Sequence, residues 1–339
     1  MSMLRTLSLL SAVLGLATSA ARSQDTNLLE GITLGAYSGW TNCLALNDEN
    51  RRYQAVIAPA VGGRLLHYSY DLINILYRDP QSDGRTLSAA GNPFYVGGFQ
   101  TDIGPEIHHV PVRNQISLGR HDWRGPRDYT IETASPVDPG VGLRVLKSFT
   151  LDPNTGELGI LQRMINSSGR ELRYCIWDRT VCKGGGFVFF KLNPESRFEK
   201  GWSILSRSGA GFHYPAGQQQ PGVQVIDDLL VIQTGTTSAK IGADSLSGWI
   251  AYARDNLLFI KFFPVSPGGN YADGGNTVEV MWTPTITELS PLSPAVKLAP
   301  GASYDFPERW MLIPLDKAVT RARDVKKLLK RIPPNPFGG

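Results

Sequence analysis

The sequence has no apolar run of the roughly 20 residues that a membrane-spanning helix needs. The apolar stretch at residues 7–17 is shorter, follows Arg5 and leads into small residues, with Ala21 and Ser23 at the spacing of a cleavage site before Gln24. This order is typical of a secretory signal peptide over residues 1–23. We therefore expect cleavage near Ser23, a secreted or periplasmic protein, and no membrane span.

Cysteine is scarce, with 3 residues in a chain of 339. Cys175 and Cys182 point to opposite faces of a sheet if they share a strand, because their spacing is odd. We therefore favour three buried thiols, Cys43 included, over a Cys175–Cys182 disulfide, which an exported protein would permit. No cysteine or histidine spacing typical of zinc sites is present, so we expect no metal and no cofactor.

The sequence also lacks signs of nucleic-acid binding, internal repeats and interdomain linkers. Its net charge is +4, and its basic cluster at residues 321–331 has no interleaved aromatic residues. The 36 Gly and 23 Pro follow no period, which indicates turns between many strands. We expect no nucleic-acid partner and one large domain over residues 24–314.

What the sequence does contain is a long series of short strand patterns. The clearest are a meander with strands at residues 128–134, 142–151, 157–165 and 172–179. One helical pattern follows at residues 315–331, with Asp316 as its cap. This balance predicts an all-β fold of two large antiparallel sheets packed face to face, with a short C-terminal helix and tail at 315–339.

The stretch from residue 277 to 315 carries the first candidate functional residue. It is predicted to form strands at 278–282, 285–289 and 309–315. Glu288 lies on the second of these strands, where a carboxylate must be paired, hydrogen-bonded or facing a solvated cleft. We expect it to face an open groove.

Two other segments supply candidates. The irregular loop at residues 97–112 holds a polar group of side chains, namely Gln100, Glu106, His108 and His109. Such a loop inside a β domain is more often functional than not, although exposed histidines are also tolerated there. The strand pattern after Gly62-Gly63, where we predict a turn or bulge with positive φ, holds Arg64 and His67 on opposite faces. Arg64 could bind ligand hydroxyls or a carboxylate, or pair with a structural acid, whereas His67 is more often a buried sheet histidine.

The order and spacing of several segments resemble the galactose mutarotase-like superfamily, which includes the aldose epimerases. The similar segments are residues 56–77 with Asn74-Ile75-Leu76, residues 142–180 with Asp178-x-Thr180, and the region from Glu288 through Pro300-Gly301 to Trp310. The resemblance covers most of residues 50–315 and points to an uncharacterised branch. It implies a single large antiparallel β-supersandwich and a saccharide partner, a mono- or oligosaccharide, with a uronate as one option.

The resemblance also implies site residues. The epimerases use a glutamate near the C-terminus as general base and a histidine after the central strand as acid. Glu288 matches the base, but no histidine follows Thr180 before His213, so His108 or His109 would have to replace the acid. Four tryptophans offer faces for stacking on a sugar, or belong to the core: Trp177, Trp202, Trp249 and Trp282. Asp178, Lys191 and Lys261 could line the same cleft, or be solvated strand ends.

Three hypotheses remain open. The favoured one is an exported saccharide-binding protein with Arg64, the Gln100–His109 part of the loop and Glu288 on an open, concave sheet face. The second is an epimerase- or lyase-like enzyme, which an imidazole about 7–10 Å from Glu288 across a cleft would favour. The third is a non-catalytic structural or interaction module, which a Glu288 sealed by an arginine would favour.

Overall fold

Strands dominate the computed structural model, which describes residues 29–105, 110–208, 211–213 and 219–338. In chain order the strands are β1 (Ile32–Tyr37), β2 (Trp40–Asn47), β3 (Tyr53–Ala58), β4 (Arg64–Tyr70), β5 (Ile73–Asn74), β6 (Gly98–Gly104), β7 (Asp122–Arg127), β8 (Thr130–Ala134), β9 (Leu143–Leu151), β10 (Leu158–Asn166), β11 (Leu172–Lys183), β12 (Phe187–Lys191), β13 (Ser203–Ile204), β14 (Ser206–Ser208), β15 (Gly211–His213), β16 (Val223–Ile226), β17 (Leu229–Gln233), β18 (Ala239–Ala243), β19 (Trp249–Arg254), β20 (Leu257–Phe262), β21 (Val278–Trp282), β22 (Ile286–Pro291), β23 (Val296–Leu298) and β24 (Ser303–Pro314).

These strands form two large antiparallel sheets. The first has the order β1-β2-β3-β4-β6-β11-β22-β21-β18-β13, with β5 beside β4 and β23 beside β11. The second has the order β16-β17-β12-β19-β20-β24-β10-β9-β8-β7, and β14 pairs with β15 apart from both. Buried side chains of both sheets join in a hydrophobic core cluster, for example Phe99 against Phe149 and Trp310. The predicted all-β fold of two packed sheets is confirmed.

The predicted meander is confirmed, with strand ends shifted by a few residues. β8, β9 and β10 are neighbours in the second sheet, but β11 crosses to the first sheet, between β6 and β22. The predicted closing strands are also confirmed as β21, β22 and β24, with the short β23 between the last two. Thus β11 and β22, which are far apart in the chain, lie side by side in the centre of the first sheet.

A turn and a bulge shape the start of β4. Gly62 and Gly63 both have positive φ, as predicted. Ile57 is paired with Leu65 and Val56 with His67, so Leu66 is an extra residue on β4. The bulge puts Arg64 and His67 on the same outer face of the first sheet, and the prediction of opposite faces is therefore wrong.

The C-terminal helix is shorter and tighter than predicted. It is a 3-10 helix over Ala322–Arg331, and Asp316 does not cap it. Positions 319, 322, 325 and 328 are apolar, and this three-residue period matches a 3-10 helix better than an α-helix. Val325 and Leu328 are buried, and the helix packs against β12, β16 and β17. The other helices of the described residues are α1 (Asn114–Ser117) and 3-10 turns at Pro80–Ser82 and Asp273–Gly275.

The cysteines and the helices of the described residues test two further predictions. The three cysteines are buried and unbridged, and Cys175 and Cys182 both lie on β11, seven residues apart. Within the described residues, no helix is long and apolar enough to cross a membrane. The predicted signal segment lies outside the described residues.

Candidate functional site

A cavity of about 280 Å³ opens on the outer face of the first sheet, the face turned away from the second sheet. Strands β4, β6, β11 and β22 form its floor, and the segments at residues 93–97 and 112–118 form its walls. Its lining residues are Arg64, Pro93, Phe94, Tyr95, Val96, Gly97, Gln100, Asp102, Val112, Arg113, Asn114, Ser117, Leu118, Arg179, Val181 and Glu288.

The two-residue period of the strands selects the side chains on this floor. On β6, Phe99 and Ile103 belong to the core, whereas Gln100 and Asp102 point outward. The pairing of β6, β11 and β22 then places Gln100 opposite Arg179, and Val181 opposite Glu288. As a result, acidic and basic groups alternate across three neighbouring strands.

Glu288 lines the cavity as a buried ion-pair partner. It is 1% exposed, and its two carboxylate oxygens accept hydrogen bonds from Nε and Nη2 of Arg179 at 3.1 and 2.9 Å. Burial opposes its ionisation, but the charge and hydrogen bonds of Arg179 outweigh that effect and hold its pKa below the usual value. Glu288 therefore lies in the lining of a cavity, as expected of a groove residue, but its carboxylate is buried and paired with Arg179.

Asp102, on the neighbouring strand β6, is likewise a buried carboxylate that is paired with arginine side chains. Its carboxylate accepts a hydrogen bond from Nε of Arg113 at 2.5 Å and lies 3.6 Å from Nη1 of Arg179. Burial again opposes ionisation, and the two guanidinium groups outweigh it, so the pKa of Asp102 is lowered. Arg179 thus bridges both acids, and the network fixes the positions of all four side chains.

Arg64 follows the Gly62-Gly63 turn and is 4% exposed. Its Nη1 and Nη2 donate hydrogen bonds to the backbone carbonyls of Gly97 and Ser117 at 2.9 and 2.8 Å. Burial, and next the charge of Arg179, lower the pKa of its guanidinium to about 10. Arg64 is therefore held rigidly in the cavity floor and is charged at neutral pH.

An aromatic side chain stands at the mouth of the cavity. Tyr95 is 44% exposed and lies beside Tyr77, with ring centroids 6.5 Å apart. Burial of its hydroxyl, followed by the charge of Glu288, raises the pKa of Tyr95, so the phenol is neutral. Its exposed ring offers an apolar face next to the charged floor.

Of the predicted site residues, Arg64, Gln100 and Glu288 line this cavity. His67 does not line the cavity, and its Nδ1 instead lies 3.1 Å from the hydroxyl of Tyr37. Burial lowers the pKa of its imidazole to about 4. Trp177 is buried beside the cavity, with Arg179 and Lys240 over its ring at 4.7 and 4.6 Å from the ring centroid. A sugar could not stack on that ring without displacing those cations.

Asp178 and Lys261 lie in the core between the sheets, so their expected place in the cleft is wrong. Both side chains have no exposed area, and Nζ of Lys261 donates to Oδ1 of Asp178 at 2.7 Å. Asp178 alternates with Arg179 along β11 and hence faces the second sheet, where Lys261 and Glu308 meet it. The tryptophan at position 282 is likewise a core residue.

Glu106, His108 and His109 lie outside the described residues, so their predicted roles stay predictions. Among the residues that the structure does describe, no group of three or more potential metal-binding side chains is found.

Sequence reasoning missed Asp102, Arg113, Arg179 and Tyr95. Arg179 had a usable signal, because on a predicted strand it shares a face with Trp177, which was a candidate, and with Val181. Asp102 lies within the polar loop that was singled out, but the two residues from the walls, Tyr95 and Arg113, carry no periodic pattern.

Comparisons with known proteins agree with this architecture. No family model matches the sequence. A galactose mutarotase-like protein from Lactobacillus casei has a TM-score of 0.55 at 10% identity, over 79% of this chain and 100% of its own. A galactose mutarotase related enzyme from Lactobacillus acidophilus has a TM-score of 0.55 at 9% identity, over 81% and 100%. A proposed aldose 1-epimerase from Klebsiella pneumoniae has a TM-score of 0.54 at 11% identity, over 89% and 86%.

These similarities confirm the fold that the order of the sequence segments predicted. The chain therefore has the fold of the galactose mutarotase-like proteins.

Proposed function

We propose that this protein is an exported carbohydrate-binding protein, and that the cavity on the outer face of the first sheet holds the sugar. The observation that carries the proposal is the composition of this cavity in a fold shared with galactose mutarotase-like proteins. About 280 Å³ is near the lower end of the range for ligand pockets, which suits a monosaccharide or one ring of a longer chain.

The side chains of the cavity match the two surfaces of a pyranose. The exposed ring of Tyr95 can pack against the C–H groups of one sugar face. Gln100, Asn114 and the Asp102–Arg179–Glu288 network offer amide, carboxylate and guanidinium groups to the hydroxyls. Because the network is already hydrogen-bonded, these groups are held in place before a ligand arrives.

Catalysis is not part of this proposal. A general base at position 288 would need a free carboxylate oxygen, whereas Arg179 binds both oxygens and the lowered pKa reduces their basicity. In the described part of the chain no imidazole lines the cavity. The enzymatic alternative therefore depends on His108 or His109 as acid and on a movement of Arg179. The Arg179–Glu288 pair is also what the third hypothesis, a non-catalytic structural or interaction module, predicts.

The test is a thermal-shift panel of neutral and acidic mono- and oligosaccharides with the full chain. A ligand at 100 times its Kd should stabilise the fold by about 2.7 kcal/mol, which is a readily measured shift in Tm. Tyr95→Ala should lose the shift, while Val225→Ala, an exposed apolar residue on β16 of the second sheet, should retain it.

Two outcomes would contradict the proposal. One is the absence of any shift with all sugars at millimolar concentration. The other is an equal shift in Tyr95→Ala and the unmodified protein. Faster interconversion of sugar anomers with protein than in buffer, followed by NMR and lost in Glu288→Gln, would instead establish the enzymatic alternative.

A further inference from the structure

The charges that line the cavity do not balance among the described residues. Three guanidinium groups, of Arg64, Arg113 and Arg179, face two carboxylates, of Asp102 and Glu288. Arg113 is paired with Asp102 and Arg179 with Glu288. The excess positive charge therefore belongs to Arg64.

Arg64 has no acidic partner in the described part of the chain. No carboxylate oxygen there lies within 4.0 Å of a guanidinium nitrogen of Arg64, the limit for an ion pair. The charges of Asp102 and Glu288 change the pKa of Arg64 less than its burial and the charge of Arg179 do. A buried charge without a counter-ion is costly, and proteins normally pair such groups. A guanidinium that is more than nine-tenths buried in the floor of a cavity, with no acidic partner among the described residues, is therefore an unusual feature that a ligand would explain.

The hydrogen bonds of Arg64 are also incomplete. A guanidinium carries five N–H donors. Two of them bind the carbonyls of Gly97 and Ser117, and Nε has no acceptor in the described residues. The two carbonyls fix the plane of the group, which leaves one further N–H on each of Nη1 and Nη2. A planar, fixed fork of this kind suits the oxygens of a carboxylate or a phosphate.

We propose that the cavity binds an anionic saccharide, whose carboxylate or phosphate group pairs with Arg64. This inference rests on the proposed function, because it specifies the class of sugar that the same site takes. The anionic group would supply the counter-charge that Asp102 and Glu288 do not. The remaining ring would contact Tyr95 and the Asp102–Arg179–Glu288 network.

The experiment is titration calorimetry of the full chain with sugars that differ in charge. D-glucuronate, D-galacturonate and D-glucose 6-phosphate are compared with D-glucose and D-galactose, and with acetate and inorganic phosphate. A hydrogen-bonded ion pair should make at least one acidic sugar bind about 10- to 100-fold more tightly than its neutral parent, and less so at high salt. Tighter binding of the uronates assigns a carboxylate, and tighter binding of the sugar phosphate assigns a phosphate.

Variants locate the anion. Arg64→Met should remove the preference for the acidic sugar, and Arg64→Lys should keep a preference at lower affinity, because lysine retains the charge without the fork. Arg163→Met is the control, since Arg163 pairs with Asp305 on the exposed face of the second sheet. If Arg64→Met does not fold, the affinities of acidic and neutral sugars for the unmodified protein and for Arg64→Lys test whether Arg64 binds the anionic group.

The outcomes separate this inference from the proposed function. Neutral sugars that bind as tightly as acidic ones would overturn the inference and leave saccharide binding in place. A preference that survives in Arg64→Met, or free acetate or phosphate that binds as tightly as the acidic sugars, would also overturn it. Binding of no sugar at all would overturn the proposed function together with the inference.

Discussion

At the scale of single residues, the Arg179–Glu288 pair controls the chemistry of the cavity. The structure also contains an exposed bidentate pair of the same type, Arg163–Asp305, which joins β10 and β24 in the second sheet. The two pairs differ in solvent access, because the side chain of Glu288 is 2% exposed and that of Asp305 is 40% exposed. They therefore form an internal comparison of a buried and an exposed ion pair.

We expect Arg179→Met to lower the free energy of unfolding by about 3–5 kcal/mol, because it leaves the buried Glu288 without its partner. Arg163→Met should cost no more than about 1 kcal/mol. Urea unfolding measures both values. Equal losses in the two variants would contradict the role of burial.

The stability that the Arg179–Glu288 pair contributes depends on pH, and the lowered pKa of Glu288 gives the sign of this dependence. Because the folded pKa of Glu288 lies below 4.5, its contribution to stability is present above that pH and is lost as the pH falls through the folded pKa. In Glu288→Gln this part of the acid sensitivity should be absent. A variant as acid-sensitive as the unmodified protein would argue against a lowered pKa.

At the scale of elements, the Gly62-Gly63 turn and the bulge in β4 decide where Arg64 points. Gly63 has a φ of +51°, and a Cβ there would lie 2.5 Å from Nδ1 of His121 and 2.8 Å from Oγ1 of Thr133. Neither a side chain nor an ordinary backbone conformation fits at this position. The turn thus couples close packing to the placement of a binding residue.

We expect Gly63→Ala to be destabilised by more than Gly301→Ala, which serves as its control. Gly301 also has a positive φ of +77°, but a Cβ there meets nothing within 4 Å. The control should lose roughly 1–2 kcal/mol for the backbone conformation alone, and Gly63→Ala about 1–3 kcal/mol more from the clash. Thermal unfolding measures the difference, and equal losses would show that the space around Gly63 adapts without cost.

At the scale of the whole molecule, a buried charged cluster joins the two sheets beneath the cavity. Asp178 of β11 in the first sheet meets Lys261 of β20 and Glu308 of β24 in the second. Glu308 also accepts hydrogen bonds from Gln162 and from Nε1 of Trp310. Burial, and next the charge of Glu308, raise the pKa of Asp178 well above its usual value. We infer that Asp178 holds a proton, which limits the negative charge buried beside Lys261.

We expect Lys261→Met to lower the free energy of unfolding by about 3–5 kcal/mol, because two buried carboxyl groups lose their cation. Lys191→Met is the matched control, since Lys191 pairs with Asp228 at the surface and should contribute at most about 1 kcal/mol. Asp178→Asn should be tolerated far better than Lys261→Met, as Asn replaces a protonated acid.

The pH dependence checks the assignment of that proton. A raised folded pKa means that Asp178 contributes most stability below its unfolded pKa, near 3.9, and loses that contribution as the pH rises through the folded pKa. Relative to the unmodified protein, Asp178→Asn should therefore gain stability as the pH rises from about 4. A constant difference across this range would show that Asp178 is not protonated.

Local sequence patterns determined the strands and their two faces, since side chains alternate with a period of two wherever a strand is regular. For this reason the closing strands and the placement of Cys175 and Cys182 on opposite faces of β11 were predicted correctly. Only the tertiary structure decided which outward residues meet. Asp102, Arg179 and Glu288 come from distant parts of the chain, and their convergence depends on the pairing of β6, β11 and β22.

The tertiary structure also decided the two errors with the largest consequences. A single extra residue in β4 reversed the expected relation of Arg64 and His67, because one inserted residue exchanges the faces of a strand. Asp178 and Lys261 look like solvated strand ends in the sequence, but the packing of two sheets buries them against each other. Polar residues reveal their partners only when remote strands are brought together, because no local pattern encodes the pairing that buries them.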